Sequence, residues 1–464
     1  MRRLWTLIGV AILAPALAAC GGGNEEAENG GAAPTDGETP TTSTGTVTID
    51  FWHSETAANE DLFTDLINRF NASQDEVRVN LVYQGSSNDL ELKLFASLGS
   101  DDVPALVELV EWEAGIMIDS GSVTPVQQFV DADGYDLSDF DEKALDQYRV
   151  GDELYAMPMG IIVPLLFYNK LPFREVGLDP EKPPLTFDEV QAYSEKLYKE
   201  DSSGNVVRSG IALDTNPWYL RAALAEHGDL VLNNNNGYDG RATEAVFDND
   251  TARAIFRFWG EMVERGLAYN VGLNPSGAEA LLALAAGRAT MAFAGSSSLG
   301  PAVAVLEAGL EGVEPGVGPF PGTAGGTGEP GIYARSLWIM SDRPEEEQEA
   351  AWKLIRWLVE PEQQAELFAE TGYLPVRLSA YDEEATRQAL LEHPEFQVPI
   401  DLFVGTPSTP AKLGPRTGAF PKIEQAVRDA LEAVLFGTMD PDQALEQAAA
   451  KTTEELQDYN RRVE

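Results

Sequence analysis

From Val47 to Trp52 apolar and polar residues alternate, the two-residue period of a strand with one buried face. Leu62, Phe63, Leu66, Ile67 and Phe70 then recur at helical spacing and form one apolar stripe. Alternation returns at Val77, Val79, Leu81 and Tyr83, Leu90 to Leu98 reads as a helix, and Ala105 to Val110 is a short apolar strand. This strand–helix–strand–helix–strand order predicts a parallel sheet with helices on its faces.

Two further short strands are predicted at Tyr155 to Met157 and Pro164 to Tyr168. Thr186-Phe187-Asp188-Glu189 predicts a helix start with a capping box, its apolar face continuing through Val190, Tyr193 and Leu197. Asp201 to Gly204 is a turn, and Asn233 to Gly240 a polar loop with Gly237 and Gly240 suited to positive φ. An amphipathic helix follows from about Thr251 to Arg265, and a helix over Leu281 to Ala286 stops at Gly287. Thr290 to Ala294 is a strand that Gly295-Ser296-Ser297-Ser298 turns into another helix, and Ser336 to Ser341 is a strand. Beyond it the chain is mainly helical, with segments at Glu345–Val359, Pro361–Glu370, Phe420–Phe436 and Pro441–Arg461. Periodicity alone therefore describes an α/β protein closed by a helical tail.

The first residues change where this protein must work. Arg2 and Arg3 precede an apolar run from Leu4 to Ala19, too short and too rich in small residues at its end to span a bilayer. The run ends in Leu17-Ala18-Ala19-Cys20, which resembles the lipobox of bacterial lipoproteins. On that resemblance residues 1–19 are a signal peptide, Cys20 is lipidated, and acyl chains hold the protein on the extracytoplasmic face of the cell membrane. The bland alternative is a plain signal peptide with an incidental cysteine. From Cys20 to Thr46 almost no large apolar residue occurs, so residues 20–46 read as a disordered tether. Cys20 is the sole cysteine, which leaves the rest without disulfides or thiolate metal ligands. The remaining roughly 420 residues exceed what one core usually serves, and two lobes are expected.

The net charge of −44 argues against nucleic acid, whose phosphates would be repelled, and against docking on anionic lipid. Against this background each arginine in a motif gains weight for an anionic ligand.

Five stretches carry a family resemblance: Phe51-Trp52-His53-Ser54; Pro164 to Lys170 with Gly177-Leu178-Asp179-Pro180 and the helix start after Pro184; Gly287 to Met291; Ser336-Leu337-Trp338-Ile339-Met340; and Thr371-Gly372-Tyr373-Leu374-Pro375-Val376. Their order and spacing resemble the family 1 extracellular solute-binding proteins of ABC importers. The resemblance implies an α/β, two-lobed periplasmic-binding-protein-like fold (type II) with a hinge and a C-terminal helical segment. It places residues 47–157 plus 292–340 in an N-terminal lobe and residues 159–291 plus 341–464 in the other. It implies a monomer that captures a small polar ligand between its lobes, without a cofactor, and presents the closed form to the permease's transmembrane subunits. Glycerol phosphate, a glycerophosphodiester or an oligosaccharide are the ligand classes it suggests.

The resemblance also places candidate ligand-binding residues. Glu111 matches an acceptor for ligand hydroxyls; Ser296 or Ser297 matches a donor at a helix N-terminus suited to phosphate oxygens. Tyr373 matches a phenol that reaches the ligand, Arg416 a phosphate-binding arginine, and Trp218 a tryptophan lining the pocket. Each has a structural alternative: a solvated strand-end carboxylate, an N-cap, core aromatics, and a surface ion pair for Arg416. Departures occur at Ser87, where a pocket tyrosine is expected, at Ile162, where a serine is, and at Ile332-Tyr333-Ala334-Arg335, which replaces a small glycine segment. Tyr333 is thereby a candidate to stack on a sugar ring or a choline group, and the ligand is expected to be bulkier than free glycerol phosphate.

An exported glycosidase or lyase, the enzyme rival, would need paired carboxylates at a cleft or a nucleophile with its base. Acidic residues are so abundant that pairs such as Glu108 and Glu111 prove nothing, and no nucleophile elbow is visible. His53, His227 and His393 lack metal-ligand spacing. A cell-surface adhesin is the other rival, and it predicts no cleft.

Overall fold

The computed structural model describes residues 45–463 apart from 56–57, 273–277, 308–312, 324 and 327. Residues 1–44, which hold the segment expected to be a signal peptide, Cys20 and nearly all of the expected tether, lie outside the described residues. The principal strands, in chain order, are β1 (Val47–His53), β2 (Val77–Tyr83), β3 (Leu106–Val110), β4 (Met157–Ile162), β5 (Pro164–Asn169), β6 (Val206–Asp214), β7 (Ala268–Gly272), β8 (Ala289–Gly295), β9 (Pro315–Pro319) and β10 (Tyr333–Met340). The helices that matter below are α1 (Ala58–Ser73), α2 (Ser87–Ser97), α3 (Trp218–His227), α4 (Asp250–Glu264), α5 (Glu345–Leu358), α6 (Pro361–Thr371), α7 (Phe420–Leu435) and α8 (Pro441–Val463).

Two mixed sheets underlie two lobes. In the first, the order is β2–β1–β3–β10, with β1 parallel to both β2 and β3 as the opening periodicity predicts. β10 runs antiparallel to β3, and its far edge takes β4 and the short strand Val123–Thr124. In the second, the order is β7–β6–β8–β5–β9; β6 is parallel to β7 and β8, while β5 is antiparallel to β8 and β9. Along β5 the side chains alternate between two cores: Leu165 and Phe167 join the first, Leu166 and Tyr168 the second.

β4 and β5 are separated by Val163 alone, so the chain passes from one sheet to the other in a single step. That step is pinned by Ser296, whose N–H donates to the Val163 carbonyl at 2.8 Å and whose Oγ accepts from the Val163 N–H at 3.2 Å.

The lobe boundaries drawn from the resemblance need correction. β8 and β9 fall within residues 292–340 in whole or large part, yet both pair in the second sheet. Conversely, α5 and α6 bury Ala350, Ala351, Leu354, Ile355 and Phe368 in the first core. The cause is connection length: α5 begins just after β10 ends, too soon for the chain to leave the first sheet. Only the last two helices, through Phe420, Ile423, Leu431 and Leu456, pack on the second core.

Local chemistry also departs from expectation. Thr186 caps its helix by accepting from the Glu189 N–H at 3.2 Å, but Glu189 reaches back to the Leu185 N–H at 2.7 Å, one residue before the position a capping box requires. A reciprocal box forms instead at Ser86 and Asp89, opening α2. In the asparagine loop Asn234, Asn235 and Asn236 all adopt φ near +55°, which asparagine tolerates better than most residues.

Candidate ligand-binding site

The C-terminal ends of the parallel strands converge on one cavity of about 460 Å³. β1 ends in Ser54 and Glu55, β3 in Glu111 and Trp112, β6 leads to Asn216 and Trp218, and β8 to the serine turn. Open α/β sheets place ligands at the carboxyl ends of their strands because side chains there converge without breaking the ladder.

On the first sheet the floor of the cavity is organised by Arg335. Its Nη1 lies 2.9 Å from Glu108 Oε1 and donates to Ser54 Oγ at 3.1 Å. Its Nε donates to the Tyr373 hydroxyl at 3.2 Å and stands 3.4 Å from Glu55 Oε1. Tyr373 in turn donates to Glu55 Oε1 at 2.7 Å, and Asn59 donates to the other Glu55 oxygen at 2.8 Å. Burial pushes the Glu108 carboxyl up to about 7, and Arg335 draws it partly back. Burial, with Glu55 adding to it, holds the Tyr373 phenol well above its ordinary value, so it donates rather than ionises.

The second cation is Arg221, on α3. Its Nη1 donates to Glu111 Oε1 and its Nε to Glu424 Oε1, both at 3.0 Å, and all three residues are buried. Its guanidinium lies 5.1–5.6 Å from the ring centroids of Phe420, Tyr333 and Trp112. Trp218 meets Tyr333 edge-on at 5.0 Å. Each guanidinium thus faces two carboxylates, and the aromatic surface lies beside them.

Residues 65–394 match the family described as bacterial extracellular solute-binding proteins. The chain belongs to that family. This solute-binding protein, of the kind that serves ABC importers, is 28% identical over 415 residues to the sn-glycerol-3-phosphate-binding periplasmic protein UgpB of Yersinia pseudotuberculosis, a match covering 87% of this chain and 91% of that protein. Its fold is similar to that of UgpB from Mycobacterium tuberculosis in complex with glycerophosphocholine (TM-score 0.72, 21% identity, 90% of this chain and all of the other). It is also similar to the maltose/maltodextrin-binding domain MalE from Bdellovibrio bacteriovorus bound to maltotriose (TM-score 0.71, 20% identity, 88% of this chain and all of the other). The two-lobed α/β architecture is the one these structures share, and the family's location is extracytoplasmic. Among the described residues no helix is long and apolar enough to cross a membrane.

Of the residues singled out in the sequence of this solute-binding protein, Ser87, Glu111, Trp218, Ser297, Tyr333 and Tyr373 line the cavity. Ile162 lines it too, directly opposite Tyr333 in the β4–β10 register. Ser296 sits behind the wall, fully buried on Val163. Arg416 is not among the lining residues: its Nη2 donates to the Asp146 carbonyl at 3.1 Å and its guanidinium lies 4.0 Å from the Tyr238 ring centroid. The arginine that lines the cleft is Arg335, with Arg221 behind the wall against Glu111, Trp112 and Tyr333; sequence reasoning missed both, together with Ser54, Glu55 and Trp112. Arg335 carried a signal: a cation inside a strand whose neighbours are Ile332, Tyr333, Ala334, Leu337 and Trp338 needs a buried partner. His53 packs on Phe63 and Tyr83 below the cavity, and burial pushes its imidazole down to about 4. Among the described residues no group of His, Cys, Asp and Glu is arranged to hold a metal.

Proposed function

We propose that this protein is the lipid-anchored substrate-binding component of an ABC importer, and that its cleft captures a glycerophosphodiester with a cationic head group and delivers it to the permease. One observation carries the ligand class: Arg335, the guanidinium that lines the cleft, is already met by two carboxylates, and Arg221 behind the wall by two more. A free phosphate dianion would enter a cleft whose cation is neutralised and whose wall also carries the Trp218 and Tyr333 rings. A phosphodiester bears a single negative charge, and a quaternary ammonium on the same molecule is attracted to the Trp218–Tyr333 pair and to the surplus carboxylate charge. Hydroxyls of a glycerol moiety find acceptors in Glu55 and Glu111 and partners in Ser54, Ser87 and Ser297. The similarity to UgpB proteins supports the glycerol-phosphate class; the lipid anchor rests on Leu17-Ala18-Ala19-Cys20.

A neutral oligosaccharide is the second reading, and the same aromatic pair favours it, because tryptophan and tyrosine faces suit sugar rings. Calorimetric titration of residues 45–464 with glycerol 3-phosphate, glycerophosphocholine and maltotriose separates the readings. Binding of glycerophosphocholine well above the other two is expected. Binding of maltotriose alone would move the ligand to carbohydrates, and preference for glycerol 3-phosphate would overturn the charge argument.

A further inference from the structure

Arg335, Glu108 and Glu55 form a closed set of one guanidinium and two carboxyl groups. With both carboxyls ionised, the set carries one surplus negative charge. Arg335 and Glu55 line the cavity, whereas Glu108 has no exposed surface and lies behind them. The Nε and Nη1 of Arg335 are directed at Tyr373, Ser54 and Glu108, so Nη2 is the donor left for an anion. An anion received there stands beside a buried surplus charge of its own sign. Like charges in a desolvated site raise each other's affinity for protons. An anion bound on Arg335 therefore draws a proton into the set.

The hydrogen bonds indicate which carboxyl takes it. Glu55 accepts from Tyr373 at 2.7 Å and from Asn59 at 2.8 Å. Among the described residues, Glu108 Oε2 accepts only the Ser54 N–H and hydroxyl, at 3.3 and 3.4 Å. Its Oε1 lies 2.9 Å from Arg335 Nη1 without hydrogen-bond alignment. The carboxyl with the longer bonds has least to lose on protonation, and burial already raises Glu108 to about 7. Besides Arg335 and Glu55, the titratable groups facing it are Glu113, Tyr148 and Tyr373; burial holds all three well above their ordinary values, so they keep their protons near neutrality. His53, next to Ser54, is pushed by burial to about 4 and stays uncharged there.

We propose that Glu108 is a positioning residue that makes capture of an anionic solute proton-linked: protonated, it releases the Arg335 guanidinium to the phosphate of the ligand, and ionised, it withholds it. One proton passes from solvent to the Glu108 carboxyl, and no other covalent bond changes. The inference rests on the reading of the ligand as a phosphodiester and adds a condition to it. Affinity is full on the acid side of neutrality and falls as pH rises through 7, because the free protein has then lost the proton that the complex retains.

Glycerophosphocholine is the probe, since its phosphodiester does not titrate near neutrality. Calorimetric titration of residues 45–464 between pH 6.5 and 8.5 is expected to show affinity falling by about tenfold across the range. At pH 8 the binding enthalpy in buffers of different ionisation enthalpy should report uptake approaching one proton per ligand. Glu108→Gln, the neutral isostere, is expected to bind at pH 8.5 about as tightly as wild type does at pH 6.5 and to take up no proton. An infrared difference spectrum of the wild type at pH 8 needs no variant: adding ligand should convert a carboxylate band into a protonated-carboxyl band. Binding with the same affinity at both pH values and no proton uptake overturns this proposal alone. A pH dependence that persists in Glu108→Gln, or an infrared spectrum without the carboxyl band, removes the role from Glu108. Absence of glycerophosphocholine binding at every pH overturns the phosphodiester reading as well.

Discussion

The guanidinium of Arg335 stands 2.9 Å from the carboxylate of Glu108, a side chain with no exposed surface. The pair is the floor of the cleft, and it is costly to break from one side only. Arg335→Met removes the cation paired with Glu108 and is expected to destabilise the protein by about 3 kcal/mol at pH 8. Glu108 escapes by taking up a proton, so the loss should shrink at pH 5. Arg335→Met/Glu108→Gln, which removes both charges, should recover most of it. Urea denaturation at the two pH values reads all three; equal losses for the single variant at both pH values would count against a buried ionised Glu108.

Stability should also fall as the solution becomes less acid. Burial raises Glu226 to about 7 in the folded state, against the ordinary value near 4.5 in the unfolded chain. The folded state therefore holds the extra proton between these values. Its stabilising effect is full below about pH 4.5 and is lost as pH rises through 7, with a slope of up to ~1.4 kcal/mol per pH unit for one proton. Glu108 adds to the same window in the same direction. Glu226→Gln is expected to flatten the curve of unfolding free energy between pH 5 and 7.5, and an unaltered slope would refute the assignment to this residue.

The Glu111–Arg221–Glu424 triad should behave as a unit. Arg221→Met leaves two buried carboxylates facing each other and is expected to cost about 3–5 kcal/mol. The triple variant Glu111→Gln/Arg221→Met/Glu424→Gln should lie much closer to wild type than the sum of its single changes. Melting temperatures of wild type, the three single variants and the triple variant give the coupling directly, and additive losses would mean that the three residues do not share one electrostatic environment.

Trp218 and Arg416 separate packing on the ligand from packing on the protein. Trp218→Ala removes one face of the cleft and is expected to weaken glycerophosphocholine binding by about tenfold or more. Arg416→Ala removes a contact with Tyr238 outside the cleft; it should cost about 1 kcal/mol of stability and leave affinity within about threefold. Titration calorimetry on both variants decides, and a large affinity loss at Arg416 would return it to the binding surface.

Strand and helix periods made the first sheet readable: the alternation at Val47–Trp52 and Val77–Tyr83 and the stripe from Leu62 to Phe70 recur as a parallel pair under a helix. The cavity-lining role of Glu111, Trp218 and Tyr373 was legible through motif positions, because strand ends and helix starts fix where such side chains stand. Arg335 and Arg221 were not, since their partners Glu108, Glu55 and Glu424 are distant in sequence and nothing local distinguishes these acids from the many others. Arg416 failed for a related reason: a matching local motif does not specify which of two neighbouring surfaces its long side chain lies on. The lobe boundaries failed because membership of a sheet depends on which way the chain turns after β10, a choice made by connection length and core packing.

β10 has a consequence for how this protein comes into being. It lies between β3 and β4, and Ser336 Oγ donates to the Leu109 carbonyl across 227 residues of chain. During synthesis and export β1, β2 and β3 are therefore complete long before the strand that closes their edge exists. Such distant pairing slows folding and leaves a hydrogen-bonding edge open in the interval. A chain truncated anywhere before Tyr333 presents that edge permanently, and its fate is association with other chains rather than release of one finished lobe.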